Sequence, residues 1–114
     1  MKTIIAGSRL ITSYDLVKIV IQDSEFTITK VISGCACGVD KLGEQWAKEN
    51  GIEIDQYPAL WDQYGKSAGY HRNEVMASNA EALILIWDGK SKGSAHMLKQ
   101  GYKYKIKVYQ YLIS

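Results

Sequence analysis

Three short segments of this chain set glycine beside small polar or charged residues in patterns that can hold an anion. They are Gly7-Ser8-Arg9, the run Ser33-Gly34-Cys35-Ala36-Cys37-Gly38-Val39-Asp40, and Asp88-Gly89-Lys90-Ser91-Lys92-Gly93-Ser94. Glycine lets backbone N–H groups come close to a phosphate, and a helix that starts just after the loop adds its positive end. The hydroxyls of Ser8, Ser33 and Ser94 can add hydrogen bonds, and Arg9 can add a guanidinium fork for phosphate or carboxylate. None of the three is a P-loop, because none has the full Gly-x-x-x-x-Gly-Lys-Ser/Thr spacing. None has the spacing of the dinucleotide fingerprint either.

Other residues could serve the same site or do something plainer. Arg72-Asn73 suits a ribose or phosphate edge, or a solvated first helical turn with a capping asparagine. Asp40 can cap a helix or bind a ribose hydroxyl. His96, two residues past Ser94, can touch a ligand or sit on a helix surface. Trp61, Tyr64 and Tyr70 can stack on a base or pin a loop to the core. Cys35 and Cys37 lie too close together for disulfide geometry, and a zinc site would need about two more ligands. The only histidines are His71 and His96, so the cysteines read as small residues in a tight turn, and neither metal nor cofactor is expected.

The elements that must position these residues alternate. Thr3 to Ala6 is an apolar run ending at Gly7 and reads as a strand. Ser13 or Asp15 can cap a helix carrying Leu16, Ile19 and Val20. Lys30 to Ser33 is a second strand, and Asp40 stands where an N-cap would before a helix with Leu42, Trp46 and Ala47, stopped by Gly51. Glu53 to Tyr57 alternates as a third strand and is broken by Pro58, the only proline. Ala59 to Ser67 reads as a loop, and Ala68 to Asn79 as a helix with Val75 and Met76 inward. Ala82 to Trp87 is the most hydrophobic run and predicts a central strand, followed by a helix from Ala95 to Tyr102 and a last strand from Lys105 to Tyr111. Such alternation predicts an α/β fold: a mainly parallel five-stranded sheet with helices on both faces, in three layers. The strand ends of a parallel sheet lie along one edge, so all three glycine loops converge where open α/β folds bind ligands.

At 114 residues, residues 1–114 form a single domain, with no repeat, linker or low-complexity segment. A net charge of +2 is too mild for a nucleic-acid groove, and the lysines at 99, 103, 105 and 107 read as solvated. No apolar run approaches the roughly 18 residues of a membrane span. The first residues do not form a secretory signal, and a cytoplasmic location is expected.

The segments Ala6-Gly7-Ser8-Arg9, Ser33 to Asp40 and Trp87 to Ser94, with Lys66-Ser67-Ala68-Gly69, Arg72-Asn73 and Met76, resemble the YspA-type, YpsA-related branch of the SLOG superfamily. The resemblance runs from the first strand to the last helix. It implies a Rossmann-like fold and a pocket for nucleotides or nucleotide-derived ligands. Relatives include the Lonely Guy phosphoribohydrolases and the DNA-processing protein DprA, and members are proposed as ligand sensors or nucleotide-processing enzymes in bacterial or phage conflict systems. Self-association among such relatives implies a homodimer. By this resemblance Gly7, Ser8, Arg9, Gly89, Gly93 and Ser94 bind phosphate, Gly34, Gly38 and Asp40 line the middle loop, and Arg72 and Asn73 the neighbouring helix. With Ser33, Asp88 and His96 these complete the candidate ligand site.

The chain also departs from that branch. The glycosidases carry a Gly-Thr turn with a glutamate three residues on, whereas here Ser94 is followed at that distance by Met97. A thioether cannot carry a proton near neutral pH. Cys37 stands where the branch often has arginine. The favoured expectation is therefore a module that binds a nucleotide-derived ligand without cleaving it. The alternative is an N-glycosidase acting on a nucleoside phosphate, with Arg72 stabilising the leaving group and Glu74 or Asp40 as the carboxylate. DprA-like DNA binding comes third, since there is no concentrated basic patch.

Overall fold

The structure is a computed structural model that describes residues 1–113. Its elements are β1 (Lys2–Gly7), α1 (Tyr14–Ser24), β2 (Lys30–Ser33), α2 (Val39–Glu49), β3 (Glu53–Gln56), α3 (Trp61–Tyr64), α4 (Ala68–Asn79), β4 (Ala82–Trp87), α5 (Lys92–Lys103) and β5 (Lys107–Leu112). The five strands form one sheet in the order β3-β2-β1-β4-β5, and every pairing is parallel. From β1 the chain builds outward to β3, then returns to the other flank of β1 for β4 and β5. The reversal between β1 and β4 is the switch point, where loops leave in opposite directions and open a crevice.

Alternate residues of each strand feed two cores. Ile5, Val31, Ile84 and Ile86 pack with Val17, Val20 and Ile21 of α1 and Val39 and Ala47 of α2. Ile4, Ala6, Ile32, Leu83 and Leu85 pack on the opposite face with Met76 and Ala77 of α4 and Met97 of α5. β4 is apolar at every position because both its faces are covered and strands flank it on both sides. The middle strand, however, is β1, and β4 lies beside it.

Several sequence expectations shift by a residue or a turn. The buried stripe of α1 is Val17, Val20 and Ile21, while Ile19 is exposed, as a 3.6-residue period from Val17 requires. In α4 Met76 turns inward and Val75 outward. The segment read as a loop from Ala59 to Ser67 contains α3 and a single 3₁₀ turn at Gly65–Ser67. α5 begins at Lys92 rather than Ala95, because Ser91 caps it. β5 begins at Lys107, since Lys105 has φ 56° and its N–H donates to the Tyr102 carbonyl in a turn.

Two glycines set the geometry of the switch point. A Cβ on Gly7 would stand 1.9 Å from the Ile86 carbonyl oxygen, so only glycine lets the ends of β1 and β4 meet there. The Ser8 N–H then donates to that same oxygen at 3.0 Å. Gly38 has φ 77°, and its Cα faces the backbone of Ser8 and Arg9 so closely that a Cβ would lie 2.3 Å from the Ser8 oxygen.

Candidate functional site

A cleft of about 340 Å³ opens over the switch point. β1 and its following loop give it Gly7, Ser8, Arg9 and Leu10, α4 gives Arg72 and Asn73, and the β4–α5 connection gives Asp88, Ser91, Gly93 and Ser94. Ala36 and Asp40 enter from the β2–α2 side, and Met76, Leu85 and Met97 make an apolar floor.

The β1–α1 loop is fixed by its own polar groups. Ser8 is buried, its Oγ accepts from the Leu10 N–H at 3.2 Å, and its carbonyl accepts from the Val39 N–H at 3.2 Å. Arg9 leaves this loop exposed and forms no ion pair among the described residues.

Arg72 is half-buried and directed by two acceptors. Its Nη1 donates to the Gly34 carbonyl, and its Nε donates to Asn73 Oδ1 at 3.2 Å. Burial pulls its pKa down from the ordinary value, and the neighbouring Asp40 carboxylate opposes that. Gly34 makes the approach possible: a Cβ there would lie 2.8 Å from Asp40 Oδ2 and 2.9 Å from Arg72 Nη1.

Asp40 is the second residue of α2 rather than its cap, since the helix begins after Gly38. Its Oδ2 accepts from the Ala36 N–H at 3.2 Å. Burial raises its pKa from 3.8 to about 6, against the pull of that hydrogen bond and of Arg72 and Arg9, with Glu44 adding to the rise. A carboxyl poised there can be charged or protonated near neutral pH.

The β4–α5 connection is built differently. Asp88 Oδ1 accepts from the Lys90 and Ser91 N–H groups at 2.9 and 3.1 Å, which lowers the Asp88 pKa. Ser91 Oγ takes the Ser94 N–H at 3.5 Å. The first turn of α5, with Gly93 and the buried Ser94, therefore faces the cleft with the helix's positive end. The three loops expected to act alike do not. The Asp40 carboxylate is taken up by the Ala36 N–H of its own loop and the Val39 N–H at the start of α2 by the Ser8 carbonyl, whereas the first turn of α5, capped by Ser91, presents Gly93 and Ser94 to the cleft.

Of the expected residues, the structure gathers Gly7, Ser8, Arg9, Asp40, Arg72, Asn73, Asp88, Gly93 and Ser94 around the cleft. Gly34 and Gly38 stand behind its wall as spacers. Ser33 is wholly buried, and its Oγ donates to Glu44 Oε2 at 2.6 Å. Gly89 lies outside the lining, near Leu112. His96 lies behind Asn73 and stacks on the Tyr70 ring at 4.0 Å. Glu74 points away, half-exposed, and pairs with Lys103 at 3.4 Å, so Asp40 is the carboxylate beside Arg72. Cys35 and Cys37 are free thiols, Cys37 exposed, and no group of three metal-ligating side chains occurs among the described residues. No described helix is long and apolar enough to cross a membrane.

Sequence reasoning missed Ser91, whose spacing to Ser94 is a cap signal, and Glu44, whose i+4 spacing from Asp40 puts both on one helix face. It also missed a second cleft of about 290 Å³ on the far side of Arg72, lined by Tyr57, Pro58, Leu60, Tyr64 and His71. Of the three aromatics considered for base stacking, only Tyr64 lines it.

No protein-family model matches the chain, and no curated protein does. Among solved structures the chain is similar to DNA processing protein A (DprA) from Streptococcus pneumoniae, with a TM-score of 0.80 and 21% sequence identity. The match covers 99% of this chain and 50% of that one. The likeness establishes a Rossmann-like fold of the DprA kind, and the chain spans half the length of that protein.

Proposed function

We propose that the switch-point cleft binds a nucleotide or nucleotide derivative through a phosphate and its sugar. The carrying observation is that the first turn of α5, with Gly93 and Ser94, and the two arginines Arg9 and Arg72 line one cleft. A helix terminus and guanidinium groups both favour an anion. The same cleft holds two carboxylates, Asp40 and Asp88, which suit sugar hydroxyls rather than a bare anion. That mixture is the chemistry of a phosphorylated ribose. A base attached to it reaches toward the apolar cleft beyond Arg72, where Tyr64 and His71 stack at 4.0 Å.

The motif resemblance and the DprA-like fold support a nucleotide-binding module of the SLOG superfamily, within its YspA-type branch. The neighbour's name speaks of DNA processing. The mild charge of this chain and its mixed-charge cleft favour a small ligand over a polynucleotide. The measurement is a thermal shift with AMP, ADP-ribose and NAD. Binding should raise the melting temperature in the wild type and not in Arg72→Ala. A full panel without a shift would overturn the reading.

The second reading, hydrolysis of the N-glycosidic bond, is favoured by Asp40 alone, a carboxyl with pKa about 6 beside Arg72. Water would add to C1′, its proton passing to Asp40 and then to the departing nitrogen as the C1′–N bond breaks. Met97 on the cleft floor offers no second carboxylate. Chromatography of the incubated ligand decides. Intact ligand fits binding, and free base or nicotinamide lost in Asp40→Asn fits hydrolysis.

A further inference from the structure

Behind the cleft a chain of side-chain hydrogen bonds crosses from α5 to α4 and ends on Arg72. Gln100 meets His96 Nε2 at 3.3 Å, His96 Nδ1 meets Asn73 Nδ2 at 3.2 Å, and Asn73 Oδ1 accepts from Arg72 Nε at 3.2 Å. The direction of every bond follows from the arginine. A guanidinium N–H can only donate, so the atom of Asn73 facing it is the oxygen. The Asn73 NH₂ must then face His96 and the Gly93 carbonyl, which it reaches at 3.4 Å. His96 Nδ1 is therefore an acceptor, and the neutral ring carries its proton on Nε2.

That proton needs an acceptor in turn. With the Gln100 NH₂ toward the ring, two donors would meet, and Gln100 Oε1 is buried with no partner. Gln100 is itself 8% exposed. Placing its oxygen toward Nε2 gives that proton its acceptor and moves the amide NH₂ into the buried position. Tyr70, stacked on the imidazole with an interplanar angle of 8°, fixes the ring plane.

We infer that His96, backed by Gln100, is a positioning residue that holds the Asn73 amide in the one orientation that accepts from Arg72 Nε, so that protonation of His96 frees that end of the guanidinium and leaves it held by the Gly34 carbonyl alone. An imidazolium has an N–H at Nδ1 and cannot accept from Asn73. Turning the amide to meet it puts the NH₂ against Arg72 Nε–H, donor to donor. The amide can serve the arginine or the imidazolium, not both.

The groups around the ring favour the neutral form. Burial lowers the His96 pKa most. Lys99 and Lys103 of α5 lower it further, and Glu74 of α4 opposes them while paired with Lys103. Arg72 adds a positive charge beyond Asn73.

The test begins without ligand, by NMR of the full chain labelled with ¹⁵N. At pH 7.5 His96 should be the Nε2–H tautomer, and its titration midpoint should lie below the usual value of about 6.5. The Arg72 Nε–H resonance should shift and exchange faster with the same midpoint. In Asn73→Ala the arginine signal should no longer follow His96. In Asn73→Asp a carboxylate accepts from both neighbours, and the His96 midpoint should rise above the usual value. An Nδ1–H tautomer, or an arginine signal indifferent to the His96 titration, would overturn the proposal.

A second arm rests on the nucleotide-binding reading and uses AMP. Its phosphate titrates near pH 6, so the wild type is compared with His96→Gln at each pH. Below the His96 midpoint the wild type should lose about 5-fold more affinity than the variant. Equal profiles would overturn the role of His96 at the cleft. Failure of AMP to bind either protein, with the NMR results as stated, counts against the nucleotide reading and leaves the relay standing.

Discussion

The two loops that flank β1 at the cleft reach the same place by opposite means. The β2–α2 loop is braced from every side. Ser33 Oγ binds Glu44 and accepts from the Cys35 N–H at 3.1 Å, Gln56 Nε2 donates to the other Glu44 oxygen at 3.0 Å, and Arg72 takes the Gly34 carbonyl. The β4–α5 connection holds itself. Asp88 and Ser91 close it from within, Asp88, Gly89 and Lys90 are exposed, and a Cβ on Gly93 would meet nothing within 4 Å. The first loop has given its polar groups to the protein and acts as a wall. The second turns the Ser91-capped first turn of α5, with Gly93 and Ser94, toward the cleft and acts as the receiving side. Glycine-rich composition is common to both and explains neither.

The sharpest way to break this contrast is Gly38→Ala. A Cβ at φ 77° and 2.3 Å from the Ser8 oxygen meets backbone that cannot move aside, and the cost should be about 3 kcal/mol or more. Urea unfolding measures it, and a loss under 1 kcal/mol would show that the wall yields.

Asp40 comes next, through pH. Its folded pKa of about 6 lies above its ordinary 3.8, so between those values the folded chain binds more protons than the unfolded one. Stability from this group is therefore present at low pH and lost as pH rises toward 6. Asp40→Asn should remove that component, leaving the variant on the order of 2 kcal/mol better off relative to wild type at pH 7 than at pH 4. Parallel pH–stability curves would mean that Arg72 and the Ala36 N–H hold the carboxylate charged throughout.

Ser33→Ala should cost about 2 kcal/mol, the range for a hydrogen bond to a buried carboxylate, because Glu44 keeps only Gln56 and a 3.7 Å contact with Lys41. Thermal melts with Ser33→Ala and Glu44→Gln singly and together would show whether the two act as one unit. Gly93→Ala has the smallest effect and the opposite sign. Alanine in the open first turn of α5 should stabilise by roughly 0.5 kcal/mol, and a destabilisation would mean that the receiving side is as constrained as the wall.

Most of the architecture was legible in the sequence because its signals are local. Each strand is an apolar run ended by a turn, and the alternation with helices left parallel pairing as the natural outcome. Helix faces were less legible. In α1, Ile19 is as hydrophobic as Val20 or Ile21, and only its angle about the axis exposes it. The gathering of Ser8, Arg9, Asp40, Arg72 and Ser94 was legible once the strands were taken as parallel. The direction of Glu74 was not, because Lys103, which draws it away, lies 29 positions along the chain. Nor could composition rank the loops, since it does not show the Asp40 carboxylate folding back onto the Ala36 N–H. The relay through His96 depends on Tyr70, Asn73 and Gln100 meeting across two helices, and no spacing within either one announces it.

The placement of β1 between β2 and β4 also sets the order of events as the chain emerges from the ribosome. β1 can pair with β2 early, but its other partner begins at Ala82, opposite Thr3. Closing that pairing encloses most of the chain, and non-local closures of this kind are slow. The two walls of the cleft come together only at that step, so a chain synthesised only as far as α4 carries two of the glycine loops and both arginines without a cleft between them.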